Sequence, residues 1–394
     1  MRVLVYRYNS IFEPDCIETF KEFGLDVVEE KAEMTDKKIP HSKIVEMVAE
    51  YILKARDEGD PYLFVFSINF FPAISDVCEK LNTIYACWSV DCPVPELYSK
   101  SIKNSCNRVF LFDYTQYEEV SRFNPEGVFY MPLGTNPERM GKVIENITDD
   151  DRKKYAADIS FVGSLYSEKN PLKNIKLSDY ARGHVDGVIA AQMEVYGVNF
   201  IEQSLNDRVV EEIIGHKITG EHELMVKPME YYNAAHMNIG YEIAEKERIR
   251  TLNRLAENHN VSLYTLSDTT PLKGVKNCGQ AKTLTEMPKI FNLSKINLNI
   301  TMRPIQTGLP LRIFDILGCG GFLITNYQAE IPSLFEPGVD LETYSSIEEL
   351  EDKCDYYLTH DEERAQIARN GYEKTVQYHT VKHRVKDMIE CMLK

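Results

Sequence analysis

The chain has 394 residues, 43% hydrophobic and 27% charged, an ordinary globular composition that is longer than one hydrophobic core usually grows. Its 45 basic and 61 acidic side chains give a formal charge of −16, which argues against nucleic acid or an anionic membrane as the main partner but leaves room for a small anion held by backbone dipoles. The nine cysteines show neither a CxxC pair nor a metal-ligand spacing, the amino terminus lacks a signal-peptide layout, and no apolar run nears the ~20 residues of a membrane span. These features predict a cytoplasmic protein with reduced thiols and no integral membrane segment.

Short apolar runs alternate with helical spacing from the first residue onward. Residues 3–7, 62–67, 83–88, 108–112 and 128–132 read as buried parallel strands, with helical patterns over 13–24, 42–58 and 95–104. Residues 1–140 are therefore expected to form an amino-terminal Rossmann-like domain. The stretch PLGTNPE (132–138) punctuates the chain and the charged TDDDRKKYAAD (148–158) follows, which places an interdomain linker at 141–157. Strand patterns resume at 159–164, 261–266, 274–279, 296–301 and 321–325, predicting a second Rossmann-like domain over 158–375. A mostly helical insertion interrupts it over residues 165–250. The tail from Asp361 reads as two helices joined near NGY (370–372), with 376–394 returning to the first domain. The expected fold is α/β, two doubly wound domains facing a cleft, with ligands outside the carboxyl ends of the strands.

The stretch TGLPLRIFDILGCGGFLIT (307–325) leaves the carboxyl end of one such strand. Pro310 suits the first turn of a helix, and the amides from Gly308 through Leu309 to Arg312 then present the positive end of its dipole, where a phosphate is stabilised even on an acidic protein. Asp315 lies seven residues beyond Gly308, placing it on the same helical face roughly 10 Å along, a position suited to ribose hydroxyls. Arg312 and Asp315 also satisfy an ordinary i,i+3 ion pair.

Residues 294–331, followed by YYLTHDEERAQIARNGYEKTVQYHT (356–380), closely resemble the carboxyl-terminal glycosyltransferase-like domain of the CgeB family, known from spore-maturation proteins. WSVDCP (88–93) and FYMPLGTNPE (129–138) resemble the amino-terminal domain that accompanies it. The resemblance implies a GT-B architecture, with a nucleotide-sugar donor bound mainly to the second domain and an acceptor entering from the first. Many retaining GT-B enzymes carry Glu-x7-Glu where this chain has Thr307 and Asp315; the aspartate retains the ribose role with less reach, whereas Thr307 brings no charge to the sugar.

By the same resemblance Gly163 and Ser164 pass near the donor phosphates, and the loop of Gly279, Lys282 and Thr283 receives the base. For each the alternative is structural: a turn glycine, or a strand exit with Thr285 or Glu286 capping a helix. Arg312 and Arg303 are the candidate phosphate cations, with Arg250 and Arg254 set aside as a solvated face. In the first domain Asp91 stands just beyond a strand, as a general base or a helix cap. Asn9, Asn69 and Trp88 are candidate acceptor-side residues, although Trp88 suits the core better. No DxD stands at a strand end, so metal independence is expected, with no tightly bound cofactor beyond the donor substrate. The expected function is transfer of a sugar from a nucleoside diphosphate, UDP by family habit, to an unidentified acceptor. The alternatives are a GT-B-type nucleotide-sugar epimerase and a non-catalytic nucleotide-sugar-binding scaffold.

Overall fold

The computed structural model describes residues 1–36, 39–220 and 223–393, which divide into two units. The first comprises residues 1–133 together with 223–227 and 381–393. Its sheet is six-stranded and parallel: β1 (Arg2–Tyr6), β2 (Asp26–Glu30), β3 (Tyr62–Ile68), β4 (Tyr85–Ser89), β5 (Asn107–Leu111) and β6 (Val128–Tyr130), in the order β2-β1-β3-β4-β5-β6. The central strands are apolar on both faces because helices cover both, and residues 3–6, 64–68 and 85–89 are buried without a break. β2, which the sequence reading misses, is an edge strand with two valines among acidic residues.

The helix expected over 95–104 is instead two 3-10 turns, Pro95–Tyr98 and Lys100–Lys103. The backbone between them is diverted into pairing with residues 223–227: Lys100 donates its amide to the Leu224 carbonyl, and Val226 donates to Tyr98, both at 2.8 Å. The Val381–Leu393 helix packs on the Glu13–Glu22 helix, with Lys382 and Glu22 3.0 Å apart, and Arg384 Nε donates to the Pro132 carbonyl at 2.9 Å.

The second unit holds β7 (Ala157–Val162), β8 (Val261–Tyr264), β9 (Lys276–Asn277), β10 (Ser294–Asn299), β11 (Leu323–Asn326) and β12 (Glu342–Tyr344), parallel in the order β12-β11-β10-β7-β8-β9. Ile159, Phe161, Leu263, Ile296, Leu298 and Ile324 form its core. The insertion has a separate core around Val185, Ile189, Val209 and Ile213, supplied by the helices Asp179–Met193 and Asp207–Ile214. A π-helical stretch, Asn233–Ile239, leads into the Gly240–Leu255 helix.

Two boundaries differ from expectation. Residues 141–157 are no extended linker: they contain the end of the Pro137–Ile144 helix and the whole Asp149–Tyr155 helix, started by a capping box in which Thr148 and Asp151 each bond the other's amide. The NGY at 370–372 lies inside the Asp361–Tyr378 helix, and the break comes at His379 and Thr380. Gly371 serves close packing there: a Cβ would stand 2.2 Å from the Asp340 carbonyl oxygen.

Candidate functional site

In the second unit, side chains tie four strand exits into one cluster. Beyond β7, Gly163 donates its amide to Tyr264 and Ser164 offers its carbonyl to Arg248. The second Arg248 nitrogen donates to the Ile300 carbonyl at 2.7 Å, so one buried guanidinium holds the exits of β7 and β10. Its plane sits over Tyr166, 4.5 Å from the ring centre, and burial lowers its pKa without removing its charge. Ser267, beyond β8, accepts the Leu165 amide at 2.8 Å. Gln328, beyond β11, donates to the carbonyls of Ile305 and Gly308 at 3.2 Å each, and the Glu330 amide reaches Thr307.

The helix that follows runs from Leu311 to Gly318 with Pro310 at its cap position. Because proline leaves that turn without a side-chain cap, the Leu311 and Arg312 amides are offered to an anion, whereas the Ile313 amide bonds the Pro310 carbonyl at 3.1 Å. Gly308 is buried and precedes the helix, so the seven-residue spacing to Asp315 does not place the two on one helical face. Asp315 is 7% exposed and already accepts from Thr135 Oγ1 at 2.8 Å, with Arg312 3.5 Å from its other oxygen. A Cβ on Gly318 would stand 2.6 Å from Thr135 Cγ2, so this glycine admits Thr135 against the helix. The expectation that Gly308 and Asp315 share one helical face is thus corrected, and one oxygen of the Asp315 carboxylate is already engaged by Thr135.

Arg303 is also corrected. Only 5% exposed, it pairs with Glu247 at 2.7 Å, donates to the Val195 carbonyl at 3.0 Å and lies over Tyr196, so its charge is spent inside the unit. Burial raises the pKa of Glu247, and Arg303 opposes the rise. Arg312 remains 23% exposed through its side chain, over Phe291, with its pKa lowered by burial and supported by Asp315. Leu309 is a core residue, 1% exposed, which leaves only its backbone for a ligand.

The expected base loop is exposed. Gly279 has φ +74° with open space around its Cα, and its amide bonds Asn277 Oδ1 at 2.9 Å. Lys282 is exposed and its amide donates to the Glu286 side chain at 2.9 Å; Glu286 stands at the cap position of the Met287–Leu293 helix without a side-chain cap bond to it. Glu286 also accepts from Tyr155 at 2.6 Å, and these bonds pull its pKa down to about 2. Thr283 is half-buried in the same turn.

In the first unit, Asn9, Asn69 and Asp91 follow β1, β3 and β4. Asn9 and Asn69 both adopt left-handed backbone, φ 72° and 59°. Asn69 Nδ2 donates to Asp91 Oδ2 at 2.6 Å and to the Tyr8 hydroxyl at 2.7 Å, while Asp91 is exposed. Burial, then the charge of Asp91, pushes the Tyr8 phenol above its ordinary value. Trp88 is corrected as an acceptor-side residue: it is fully buried in β4 against Phe12, rings 4.9 Å apart, and offers no exposed surface for stacking on a sugar. Sequence reasoning misses Arg248, Tyr166 and Gln328; two successive charges, Glu247 and Arg248, on a long helix look like a solvated face until Ser164 and Ile300 are beside them.

Two six-stranded parallel sheets with strand-exit clusters define a pair of Rossmann-like units, the GT-B fold class. Residues 247–390 match the family model described as "Glycosyl transferase-like". Over 102 residues the chain is 26% identical to an uncharacterized protein of Aquifex aeolicus (strain VF5), 25% of this chain, and it spans about a quarter (25%) of that relative's length. Among solved structures it is similar to a glycosyltransferase from Rickettsia africae (10% identity, TM-score 0.54, covering 99% of this chain and 97% of the other). It is similar also to Anabaena HepE in complex with UDP-glucose (12%, TM-score 0.54, 100% and 99%). A third is a UDP-forming trehalose-phosphate synthase from Burkholderia xenovorans (10%, TM-score 0.55, 100% and 98%). At such identities the likeness establishes the fold. Among the described residues no helix is long and apolar enough to cross a membrane.

Proposed function

We propose that this chain is a glycosyltransferase of the CgeB-like type that moves a sugar from a nucleoside diphosphate sugar, a UDP-sugar by preference, to an acceptor hydroxyl without a metal ion. The observation that carries the reading is the tied cluster of strand exits in the second unit, much of it within the stretch that matches the glycosyltransferase-like model. Gly163, Ser164 and the uncapped turn at Leu311 and Arg312 hold the diphosphate, Arg312 adding charge. Thr307, Gly308 and Leu309 line it through backbone, Asp315 takes the ribose, and the turn of Gly279, Lys282 and Thr283 takes the base. The solved HepE complex with UDP-glucose, a protein of the same fold, supports the choice of nucleotide.

Asp91 acts as base on the acceptor. The acceptor oxygen gives its proton to the carboxylate as it bonds to the anomeric carbon, and the bond from that carbon to the diphosphate breaks with its electron pair going to the leaving group. Amides and Arg312 stabilise the departing charge. A thermal-shift screen against UDP, GDP, TDP, CDP and their glucose conjugates tests this, followed by diphosphate release with and without EDTA. Stabilisation by one nucleotide with EDTA-insensitive release supports the proposal; no shift with any of them sinks it.

A further inference from the structure

Asn69 stands where a side chain other than glycine is disfavoured. Its φ of 59° is left-handed, and its backbone is held there by an amide bond to the Trp88 carbonyl at 2.9 Å and by Ser67 Oγ donating to its own carbonyl at 2.7 Å. The side chain then acts at both ends. Oδ1 accepts the amides of Val90 at 3.0 Å and Asp91 at 3.3 Å, whereas Nδ2 donates to Asp91 Oδ2 at 2.6 Å and Tyr8 Oη at 2.7 Å. Two N–H donors at one end and a carboxylate at the other fix which way the amide points. One residue therefore grips both the main chain and the carboxylate of Asp91.

We infer that Asn69 is the positioning residue for Asp91, holding Oδ2 so that Oδ1 faces the acceptor hydroxyl; this rests on the proposed role of Asp91 as base. Asn69 itself touches no reacting atom. The titratable groups that feel the charge of Asp91 are Tyr8, which also feels Glu13, and Cys92, which also feels Asp113. Asn69 supplies a neutral donor to the Asp91 carboxylate, and it tethers Tyr8 as well.

Two variants separate orientation of the carboxylate from shaping of the loop. Asn69→Gly keeps the left-handed backbone without steric cost and removes both grips. Asn69→Asp keeps an acceptor for the Val90 and Asp91 amides and tolerates the backbone, but sets a second carboxylate against Asp91. With UDP-glucose as donor probe and water as acceptor, Asn69→Asp should lower kcat for diphosphate release by about 100-fold and move the acid limb of the pH profile upward. Asn69→Gly should lower kcat by about tenfold, and UDP affinity should hold in both. Asn82→Gly, an exposed left-handed asparagine elsewhere, should match wild type.

Wild-type kcat and an unmoved acid limb in Asn69→Asp would overturn the inference, because loop shaping alone would then suffice. The underlying reading is checked separately by Asp91→Asn: full turnover there removes Asp91 as base whatever Asn69 does. Should wild type release no diphosphate from UDP-, GDP-, TDP- or CDP-glucose, the transferase reading fails. The contact is then read from the carboxyl 13C resonance of Asp91, assigned through Asp91→Asn. An upward move of its titration in Asn69→Asp supports the grip, and an unchanged titration overturns it.

Discussion

Arg248→Lys is the substitution that separates a held strand-exit cluster from a merely crowded one. The arginine sends one nitrogen to the Ser164 carbonyl and another to Ile300, 84 and 52 residues away in sequence, and is 8% exposed. A hydrogen bond from a charged donor is worth about 1.5–3 kcal/mol, and a lysine ammonium on its unforked stem serves one of the two carbonyls. The charge is retained, but an ammonium is more strongly hydrated than a guanidinium, so its burial costs no less; with one bond lost and one buried carbonyl left short, the loss is at least about 2 kcal/mol. Urea denaturation followed by far-ultraviolet circular dichroism measures it, and the fluorescence of Trp88, in the first unit, shows whether the effect stays local. Because the same guanidinium sets the separation of the two loops proposed to hold the diphosphate, UDP affinity should fall about tenfold, equivalent to about 1.4 kcal/mol. A lysine variant within about 0.5 kcal/mol of wild type and with unchanged UDP affinity would refute the idea that this arginine holds the exits together.

Thr135→Val preserves the methyl that packs on Gly318 and removes the hydroxyl from Asp315; it should cost about 1.5–3 kcal/mol, and a double-mutant cycle with Asp315→Asn should return most of that as coupling. Glu286 has its pKa lowered from the ordinary 4.5 to about 2, so its contribution is present above 4.5 and is lost as pH falls through that window. Acid titration of stability should accordingly be shallower in Glu286→Gln between about pH 4.5 and 2, and equal slopes would contradict the bonds to Tyr155 and Lys282. Gly371→Ala drives a methyl into the Asp340 carbonyl and should destabilise by about 1–3 kcal/mol or more, read as a lowered melting temperature; a neutral result would mean the helix slides at no cost.

Legibility of the sequence follows covering. Strands enclosed on both faces, such as 64–68 and 85–89, carry unbroken apolar runs and are read without the structure. β2 and β12 lie at sheet edges, where Glu29, Glu30 and Glu342 dilute the pattern, and they escape notice. The Thr148-x-x-Asp151 capping pair was available in the sequence but is masked by the charges around it. Gly371 looks like a helix stop because its reason for being small, the Asp340 carbonyl, is remote in the chain. At the candidate site the strand-exit loops are legible and the state of the cations is not: Arg303 sits in the loop before the proposed diphosphate turn yet is consumed by Glu247, whereas Arg248 looks solvated and is buried between two strand exits. A charge's availability depends on partners that only the fold brings together.

Hydrogen exchange of the full chain with and without UDP tests the central claim most directly. The account predicts slowed exchange at the amides of 163–166 and 300–312, with the turn at 277–283 joining them. Protection confined to the first unit, or exchange unchanged at both of the first two segments while UDP is bound, would contradict it.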